Sequence, residues 1–483
     1  MATKHADDHS IDVAVLGAGT AGLAAYRAAS ASSDRIVLIE GGVGGTTCAR
    51  VGCMPSKLLL AAGEAAYHAR HAAPFGVHCT VSIDGRAVMD RVRRERDRFV
   101  GFVVEGVERI PQSHRIRGQA RFVAPQVLEV AGRRIEARAI VIATGSSPYV
   151  PPMFESIRER LVVNDDVFAW ESLPASVAVF GTGVIGLELS QALSRLGVRV
   201  RLFGRSGTVG PISDPVVRAA ALAVFRKELP IDPAATIHGV RLGGDGVEVD
   251  FDDEHGNATR ESFEFALIAT GRTPNLRDLG LENAGLSLDA NGVPRFDRET
   301  LQCGATPVFI AGDANADVPL LHEAADEGRI AGENARAFPK VKPGLRRSAL
   351  AITFSDPQIA VVGPRFSEIA QNKDIVIGKV SFEDQGRSRV MLQNRGIAHV
   401  YADAVSGLFL GAQIVGPRAE HLGHLLAWAH QQGSTIDAML AMPFYHPVVE
   451  EGIRTALRDA SAQLAARAAV REQALKATKF ASV

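Results

Sequence analysis

Ile11-Asp-Val-Ala-Val-Leu16-Gly17-Ala-Gly19-Thr-Ala-Gly22 is a short apolar run that drives straight into three closely spaced glycines. The run reads as a buried strand, and the Ala-rich stretch that follows to Ala31 reads as a helix. A second apolar run, Arg35 to Ile39, ends at Glu40 and completes a β-α-β unit. Glycines at this turn let backbone amides approach a pyrophosphate at a helix N-terminus, where the peptide dipoles favour negative charge. An acid at the end of the next strand can accept hydrogen bonds from ribose hydroxyls. Such a glycine pattern is weak evidence alone; between a strand and a helix, with an acid about 20 residues on, it is much stronger. The alternative is a glycine-rich turn with no ligand.

The same signal recurs. Ser176 to Phe180 runs into Gly181-Thr-Gly183-Val-Ile-Gly186, and another strand follows from Arg199 to Phe203. A buried-strand pattern at Ala139 to Ala143 ends in Thr144-Gly145, and Ala266 to Thr270 repeats it before Gly271. These repeats predict two related nucleotide-binding modules, one inserted in the other. The second lacks the acid: Gly204 stands where the first has Glu40, with Arg199, Arg201 and Arg205 nearby. Loss of the acid removes repulsion toward a 2′-phosphate, which an arginine can bind. Equally, alternating arginines can keep an exposed strand soluble. Of two dinucleotides, one must be held permanently while the other comes and goes with hydride. FAD and NAD(H) or NADP(H) fit that division. Val308 to Ile310 with Ala311-Gly312-Asp313 returns to the first module, placing Asp313 to bond the ribityl or phosphate part of the flavin.

Directly after the first module comes Gly45-Thr-Thr47-Cys48-Ala-Arg-Val-Gly52-Cys53-Met-Pro55-Ser-Lys57. A short loop containing Gly52 can bring two sulfurs within disulfide reach. Pro55 suits the first turn of a helix, so Cys53 is expected near a helix N-terminus, which favours the thiolate. Zinc would want more ligands, and no second Cys/His pair has suitable spacing, so no metal is expected. Two buried structural cysteines are the plainer alternative.

Composition sets limits. The 483 residues suggest about three domains. A hydrophobic fraction of 46% provides a core large enough for a big cofactor, and a net charge of -1 gives no field to recruit nucleic acid or an acidic membrane. The run Arg91 to Arg98 alternates with acids and reads as a solvated helix face, within a long helix expected over Arg86 to Ile110. Ser56 to Arg70 also looks helical. Met1 to Asp12 is polar without an apolar core segment, and no run approaches a membrane span. With only four cysteines, a cytoplasmic protein is expected.

Taken together, the Cys-x4-Cys segment ending Pro-Ser-Lys57, the two glycine modules, Gly271-Arg-Thr-Pro-Asn275, Ala311-Gly-Asp313 and His446-Pro-Val-Val-Glu-Glu451 occur in an order that resembles the class I pyridine nucleotide–disulfide oxidoreductases. That family includes dihydrolipoamide dehydrogenase, glutathione reductase and mercuric reductase. The resemblance covers about Ile11 to Arg458 and looks most like dihydrolipoamide dehydrogenase-type members. It implies that Cys53 is the flavin-proximal thiolate and Cys48 the interchange thiol. It implies an ion pair of Lys57 with Glu188 beside the flavin, and His446 as the acid–base group oriented by Glu451. The cofactor-binding set becomes Gly17, Gly19, Gly22, Glu40, Gly45, Thr47, Thr144, Gly145, Gly181, Gly183, Gly186, Arg205, Gly271, Arg272, Gly312 and Asp313. Because this histidine serves the partner's site in the family, a homodimer is implied.

The expected fold is α/β: two Rossmann-like dinucleotide-binding domains, one inserted in the other, plus an α+β C-terminal dimerisation domain. Residues 1–150 and 276–344 would form the FAD-binding domain and its completing central segment. Residues 151–275 would bind the nicotinamide, 345–464 would dimerise, and 465–483 would be a frayed helix or tail. The C-terminal region is expected to hold alternating strands and two helices. The expected activity moves electrons between a nicotinamide, FAD, Cys48–Cys53 and a small dithiol or disulfide, with a lipoyl domain as a candidate partner. An NADPH-dependent disulfide reductase is the alternative. Thr46, Tyr445 and Val448 depart from the family pattern, and the chain lacks the additional cysteine modules usual in mercuric reductases. Outside the family, a flavin oxidase or monooxygenase would have no use for the cysteine pair. A non-catalytic docking subunit would not need Cys48, Cys53, Lys57, His446 and Glu451 together.

Overall fold

The computed structural model describes residues 11–244, 246–371 and 374–481; the polar segment 1–10 lies outside the described residues. Strand β1 (Ile11–Leu16) enters helix α1 (Thr20–Ser30), and β2 (Ile36–Glu40) returns parallel to it, pairing Leu16 with Ile39. Val13 to Leu16 are almost wholly buried, which is why this strand reads as a continuous apolar run: both faces of a parallel sheet are covered. The chain then forms α2 (Thr47–Val51), α3 (Cys53–Arg70) and α4 (Gly85–Glu108). Strands β3 (Arg115–Arg117), β4 (Ala120–Ala124), β5 (Val127–Val130) and β6 (Arg133–Ile142) complete a sheet of order β3-β2-β1-β6-β5-β4. β6 begins well before the expected Ala139, because its first half pairs antiparallel with β5 at the edge and only its second half is buried beside β1.

The arginine run on α4 is not wholly solvated. Arg93 donates to the carbonyl of Trp170 and Arg96 to that of Phe168 at 2.9 Å, so part of the charged face docks onto the next domain. Long arginine stems pack while their guanidinium groups find carbonyls, a pattern that charge alternation does not reveal.

β7 (Ser146–Pro148) leads out of the first module. The inserted module comprises β8 (Leu161–Val163), α5 (Asn164–Val167), β9 (Ser176–Phe180), α6 (Val184–Arg195), β10 (Arg199–Phe203), α7 (Pro215–Phe225) and β11 (Ile231–Asp232). A meander of β12 (Ile237–Gly243), β13 (Gly246–Asp252) and β14 (Ala258–Phe263) follows, and β15 (Phe265–Ile268) closes the parallel sheet β11-β10-β9-β15-β8. β16 (Arg272–Pro274) pairs antiparallel with β7, so the chain leaves and re-enters through a two-stranded link. β17 (Val308–Ile310) then pairs with β6. Helix α8 (Leu321–Ala337) packs closely on α1: a Cβ at Gly328 or Gly332 would meet the Ala21 or Ala25 carbonyl at 2.1 or 2.3 Å.

The C-terminal unit is a five-stranded antiparallel sheet, β18 (Leu350–Thr353), β19 (Gln358–Val362), β20 (Ile375–Ser381), β21 (Ile397–Asp403) and β22 (Phe409–Gly416), in order β18-β19-β22-β21-β20. Short helices α9 (Phe366–Ala370) and α10 (Gly386–Val390) interrupt the strands; α11 (Ala419–Gln431), α12 (Ile436–Leu440) and α13 (Glu450–Ala481) follow. Two of these are the long helices expected; the others are single turns too short to show helical periodicity. The segment 465–481 is not a separate tail but the continuation of α13, an Ala-, Arg- and Lys-rich stretch without Gly or Pro to stop it. No helix among the described residues is long and apolar enough to cross a membrane.

Candidate active site

The cysteines sit on two successive helices. Thr46 is buried at the N-cap of α2, where its Oγ1 accepts from the Ala49 amide at 3.2 Å. That gives the departure at position 46 a local reason. Cys48 lies in the first turn of α2, and α3 begins at Cys53 itself, with Pro55 in its first turn. Between them Gly52 passes so close that a Cβ would meet the Thr47 carbonyl at 3.0 Å and the Cys48 Cα at 3.2 Å. Both thiols are free, Cys48 half-buried and Cys53 exposed. The neighbouring Cys48 thiol, then the Lys57 charge, outweighs desolvation and holds the Cys53 thiol down to about 7. The neighbouring Cys53 sulfur, then burial, pushes the Cys48 thiol far up. The two neighbouring thiols are thus shifted in opposite directions, Cys53 toward the thiolate and Cys48 away from it.

One turn along α3, Lys57 Nζ lies 2.7 Å from Glu188 Oε2. Glu188 projects from α6 of the inserted module and is 2% exposed. Its Oε1 accepts from the Phe354 amide at 2.9 Å, and the Lys57 ammonium stands 4.5 Å from the centre of the Phe354 ring. Three parts of the chain thus meet beside Cys53. Phe354 carries no motif signal of its own, and sequence reasoning missed it.

Glu40 stands at the end of β2. Its Oε2 accepts from the Ala18 amide at 2.7 Å and its Oε1 from the Gly42 amide at 2.6 Å, leaving lone pairs free for sugar hydroxyls. A cavity of about 270 Å³ opens beside it, lined by Ala18, Leu38, Gly45 and Val104. The glycines divide the labour. A Cβ on Gly17 would strike the Ala143 carbonyl at 2.4 Å and one on Gly22 the Gly17 carbonyl at 1.8 Å, whereas Gly19 and Gly145 face open space. Thr144 Oγ1 is buried without a partner, while Thr47 is exposed beside Cys48. Asp313 accepts from Ser146 Oγ at 2.7 Å, and Arg272 donates to the same hydroxyl at 2.8 Å. Fully buried Glu327, also missed by sequence reasoning, accepts from the Gly312 amide at 2.8 Å and from Asn315 at 2.7 Å, fixing the loop that carries Asp313. An open glycine cradle, an orphaned hydroxyl, a ribose-type acid and a second carboxylate form a donor and acceptor set that fits FAD.

In the inserted module Gly181 and Gly186 repeat the contacts of Gly17 and Gly22: a Cβ would meet the Ala269 carbonyl at 2.2 Å and the Gly181 carbonyl at 1.8 Å. Gly183 and Gly271 face open space. Gly204 sits against the Pro233 carbonyl and Thr182 Oγ1, at 2.5 and 2.7 Å from where a Cβ would be. Packing therefore leaves no room for an acid there. Arg199 and Arg201 turn away from this edge: both pair with Glu261, and their guanidinium groups lie over Phe263 and Phe251. Arg205 is exposed and makes no ion pair among the described residues.

His446 Nδ1 lies 3.1 Å from Glu451 Oε2, and this contact draws the Glu451 carboxyl below its ordinary value. The histidine is 80% exposed, on the loop before α13. Its ring hydrogen bond is to Glu451, not to Cys48 or Cys53 of its own chain. Its neighbours Tyr445 and Met442 are also exposed, at 80% and 60%. Among the described residues no group of three or more His, Cys, Asp or Glu side chains could hold a metal ion.

Comparison with known proteins points to one family. Residues 11–328 match the model of the pyridine nucleotide-disulphide oxidoreductases, and residues 350–457 match that family's dimerisation domain. A dihydrolipoyl dehydrogenase of Halobacterium salinarum is 30% identical over 462 residues, 93% of this chain and 96% of that protein. A mercuric reductase of Shigella flexneri is 30% identical over 473 residues, 94% of this chain and 81% of that protein. The crystal structure of LpdA from Mycobacterium tuberculosis superposes with a TM-score of 0.79 at 25% identity, covering 92% of this chain and 98% of that one.

Proposed function

This chain belongs to the pyridine nucleotide–disulphide oxidoreductases, and from that premise we propose that Cys48 and Cys53 are its redox pair, exchanging with a small dithiol or disulfide of the dihydrolipoamide type. It is an FAD-dependent enzyme that uses a nicotinamide cofactor. FAD, when bound, supplies the two-electron carrier between nicotinamide and sulfur. Gly17, Gly19, Gly22, Glu40, Gly45, Thr47, Thr144, Gly145, Gly312 and Asp313 would hold it. Gly181, Gly183, Gly186, Gly271 and Arg272 would serve the nicotinamide cofactor.

The observation that carries the assignment is the placement of Cys48 and Cys53 on two successive helices that turn at the tightly packed Gly52, with the Lys57–Glu188 pair one turn beyond Cys53. In the reducing direction, the acid–base histidine takes the Cys48 proton as that sulfur attacks one sulfur of the substrate disulfide, and the other substrate sulfur leaves as a thiolate that receives the proton from the histidine. The Cys53 thiolate then attacks Cys48 Sγ, closing the Cys48–Cys53 disulfide and releasing the second substrate sulfur as a thiolate, which takes its proton from solvent. Dihydrolipoyl oxidation is the reverse. His446, exposed on the loop before α13, acts in the site of the partner subunit of a homodimer, with Glu451 orienting it. Exposed Tyr445 and Met442 and the match of 350–457 to a dimerisation domain support that assembly. The domain division 1–150, 151–275, 276–344 and 345–464 is supported by the β7–β16 link, which falls at the proposed edges of the inserted domain.

A second reading, preference for NADPH, is favoured by packing that bars an acid at Gly204 and leaves Arg205 exposed. Steady-state kinetics with NADH and NADPH against lipoamide and glutathione disulfide test both readings. Turnover with lipoamide that is lost in Cys48→Ser and Cys53→Ser, and reduced about 10²- to 10⁴-fold in His446→Ala, is the expected result. Full disulfide turnover by both serine variants would overturn the assignment.

A further inference from the structure

We propose that Phe354 is a positioning residue for the reaction, its ring face holding the Lys57 ammonium in place beside Cys53. The proposal rests on the reading of Cys48 and Cys53 as the redox pair and adds to it a residue from the C-terminal unit of the same chain. Phe354 lies just after β18, and the turn it opens is gripped by one face of α6. Glu188 takes the Phe354 amide at 2.9 Å, Gln191 bonds both the amide and the carbonyl of Asp356 at 2.7 and 2.8 Å, and Arg195 pairs with the Asp356 carboxylate at 3.0 Å. These three side chains fall at helical spacing, and each is no more than 4% exposed. The backbone of the turn is therefore pinned whatever side chain stands at 354.

What the side chain adds is the ring. Lys57 Nζ meets Glu188 Oε2 at 2.7 Å, Ser56 Oγ at 3.4 Å and the Phe354 ring at 4.5 Å from its centre. A ring face carries negative electrostatic potential and attracts an ammonium most strongly where water is scarce. The charged and titratable groups facing Cys53 are Cys48 from α2, Lys57 from its own helix and Glu188 from α6, and Glu188 opposes the thiolate. Lys57 favours the thiolate only while it stays close. The ring fixes the ammonium on a second side, so the carboxylate alone does not decide where it sits.

The test follows the pH dependence of Cys53 alkylation by iodoacetamide in the holoenzyme, read by peptide mass spectrometry in a Cys48→Ser background so that a single site thiol reacts. Phe354→Met keeps the bulk without the ring and is expected to raise the midpoint by about half a pH unit. Phe354→Tyr keeps the ring and is expected to leave it unmoved. An unchanged midpoint in Phe354→Met, or an equal rise in Phe354→Tyr, would overturn the proposal. If Phe354→Met does not fold, pentafluorophenylalanine at position 354 keeps the shape and reverses the ring's polarity. The midpoint must then rise, and constancy refutes the role. Thiol counts in the parent protein before and after nicotinamide reduction report separately on the redox pair, so failure of one idea is not mistaken for failure of the other.

Discussion

The two glycine-rich modules are the same device with different endings. In each, the first and third glycines touch carbonyls: Gly17 and Gly22 against Ala143 and Gly17, Gly181 and Gly186 against Ala269 and Gly181. In each, the strand pair is in the same register, Leu16 with Ile39 and Phe180 with Phe203. One residue later they part. Glu40 gathers two backbone amides and faces a cavity, while Gly204 is walled in by Pro233 and Thr182. The shared glycines are dictated by backbone packing and would be needed for any dinucleotide. The difference lies where each strand ends, where packing admits an acid at Glu40 and forbids one at Gly204.

The largest effect expected from breaking this comparison is at the third glycine. Gly22→Val and Gly186→Val each force a side chain onto a carbonyl, a clash of order 4 kcal/mol or more. Gly22→Val should purify without flavin colour, whereas Gly186→Val should keep its flavin and lose reduction by nicotinamide. Loss of flavin in both would mean that the modules do not fold independently.

Next comes the anchoring of the second module to the C-terminal unit. Asp214 caps α7 through the Val216 and Val217 amides, and its other oxygen accepts from His399 at 2.7 Å and Tyr401 at 2.8 Å. Burial opposes ionisation, but the bonds from His399 and Tyr401 prevail and hold the carboxyl down to about 2. A depressed pKa contributes stability above the ordinary value of 3.8 that is lost as pH falls through about 2. Asp214→Asn should cost about 3 kcal/mol near neutrality and flatten the acid limb of a melting-temperature profile. An unaltered acid limb would show that the network does not hold the units together.

Smaller effects sharpen the difference in ligand. Glu40→Gln weakens two charge-assisted bonds and should lower FAD affinity about 10- to 100-fold, measured by flavin release on dilution. Arg205→Glu should raise the KM for NADPH about tenfold and leave that for NADH in place. Equal responses to both cofactors would make Arg205 a surface charge only.

Much of this was legible in the chain. Ile11–Leu16, Ser176–Phe180 and Val308–Ile310 are strands with the bounds that their apolar runs predict, because parallel strands buried on both faces admit little else, and Arg199–Phe203 keeps its expected bounds with arginines alternating against buried apolar residues. Lys57 and Glu188 meet, as the family resemblance implied, and so do His446 and Glu451. What escaped was long-range or short-lived along the chain. Phe354 reaches Glu188 across 166 residues of sequence, and nothing local marks it. Glu327 is an unremarkable acid in a helix until its carboxylate is seen beneath Gly312. Arg199 and Arg201 looked like cofactor ligands beside Arg205, yet strand alternation and Glu261 send them elsewhere. Helices α9, α10 and α12 are five residues each, below the length at which periodicity can be read.

The whole account turns on two sulfur atoms changing oxidation state together. Alkylating the denatured protein before and after anaerobic reduction by NADPH or NADH, and locating the label by mass spectrometry, measures this directly. Label should appear at Cys48 and Cys53 only after reduction, with Cys79 and Cys303 labelled alike in both samples. Equal labelling of Cys48 and Cys53 in the oxidised and reduced protein would contradict it.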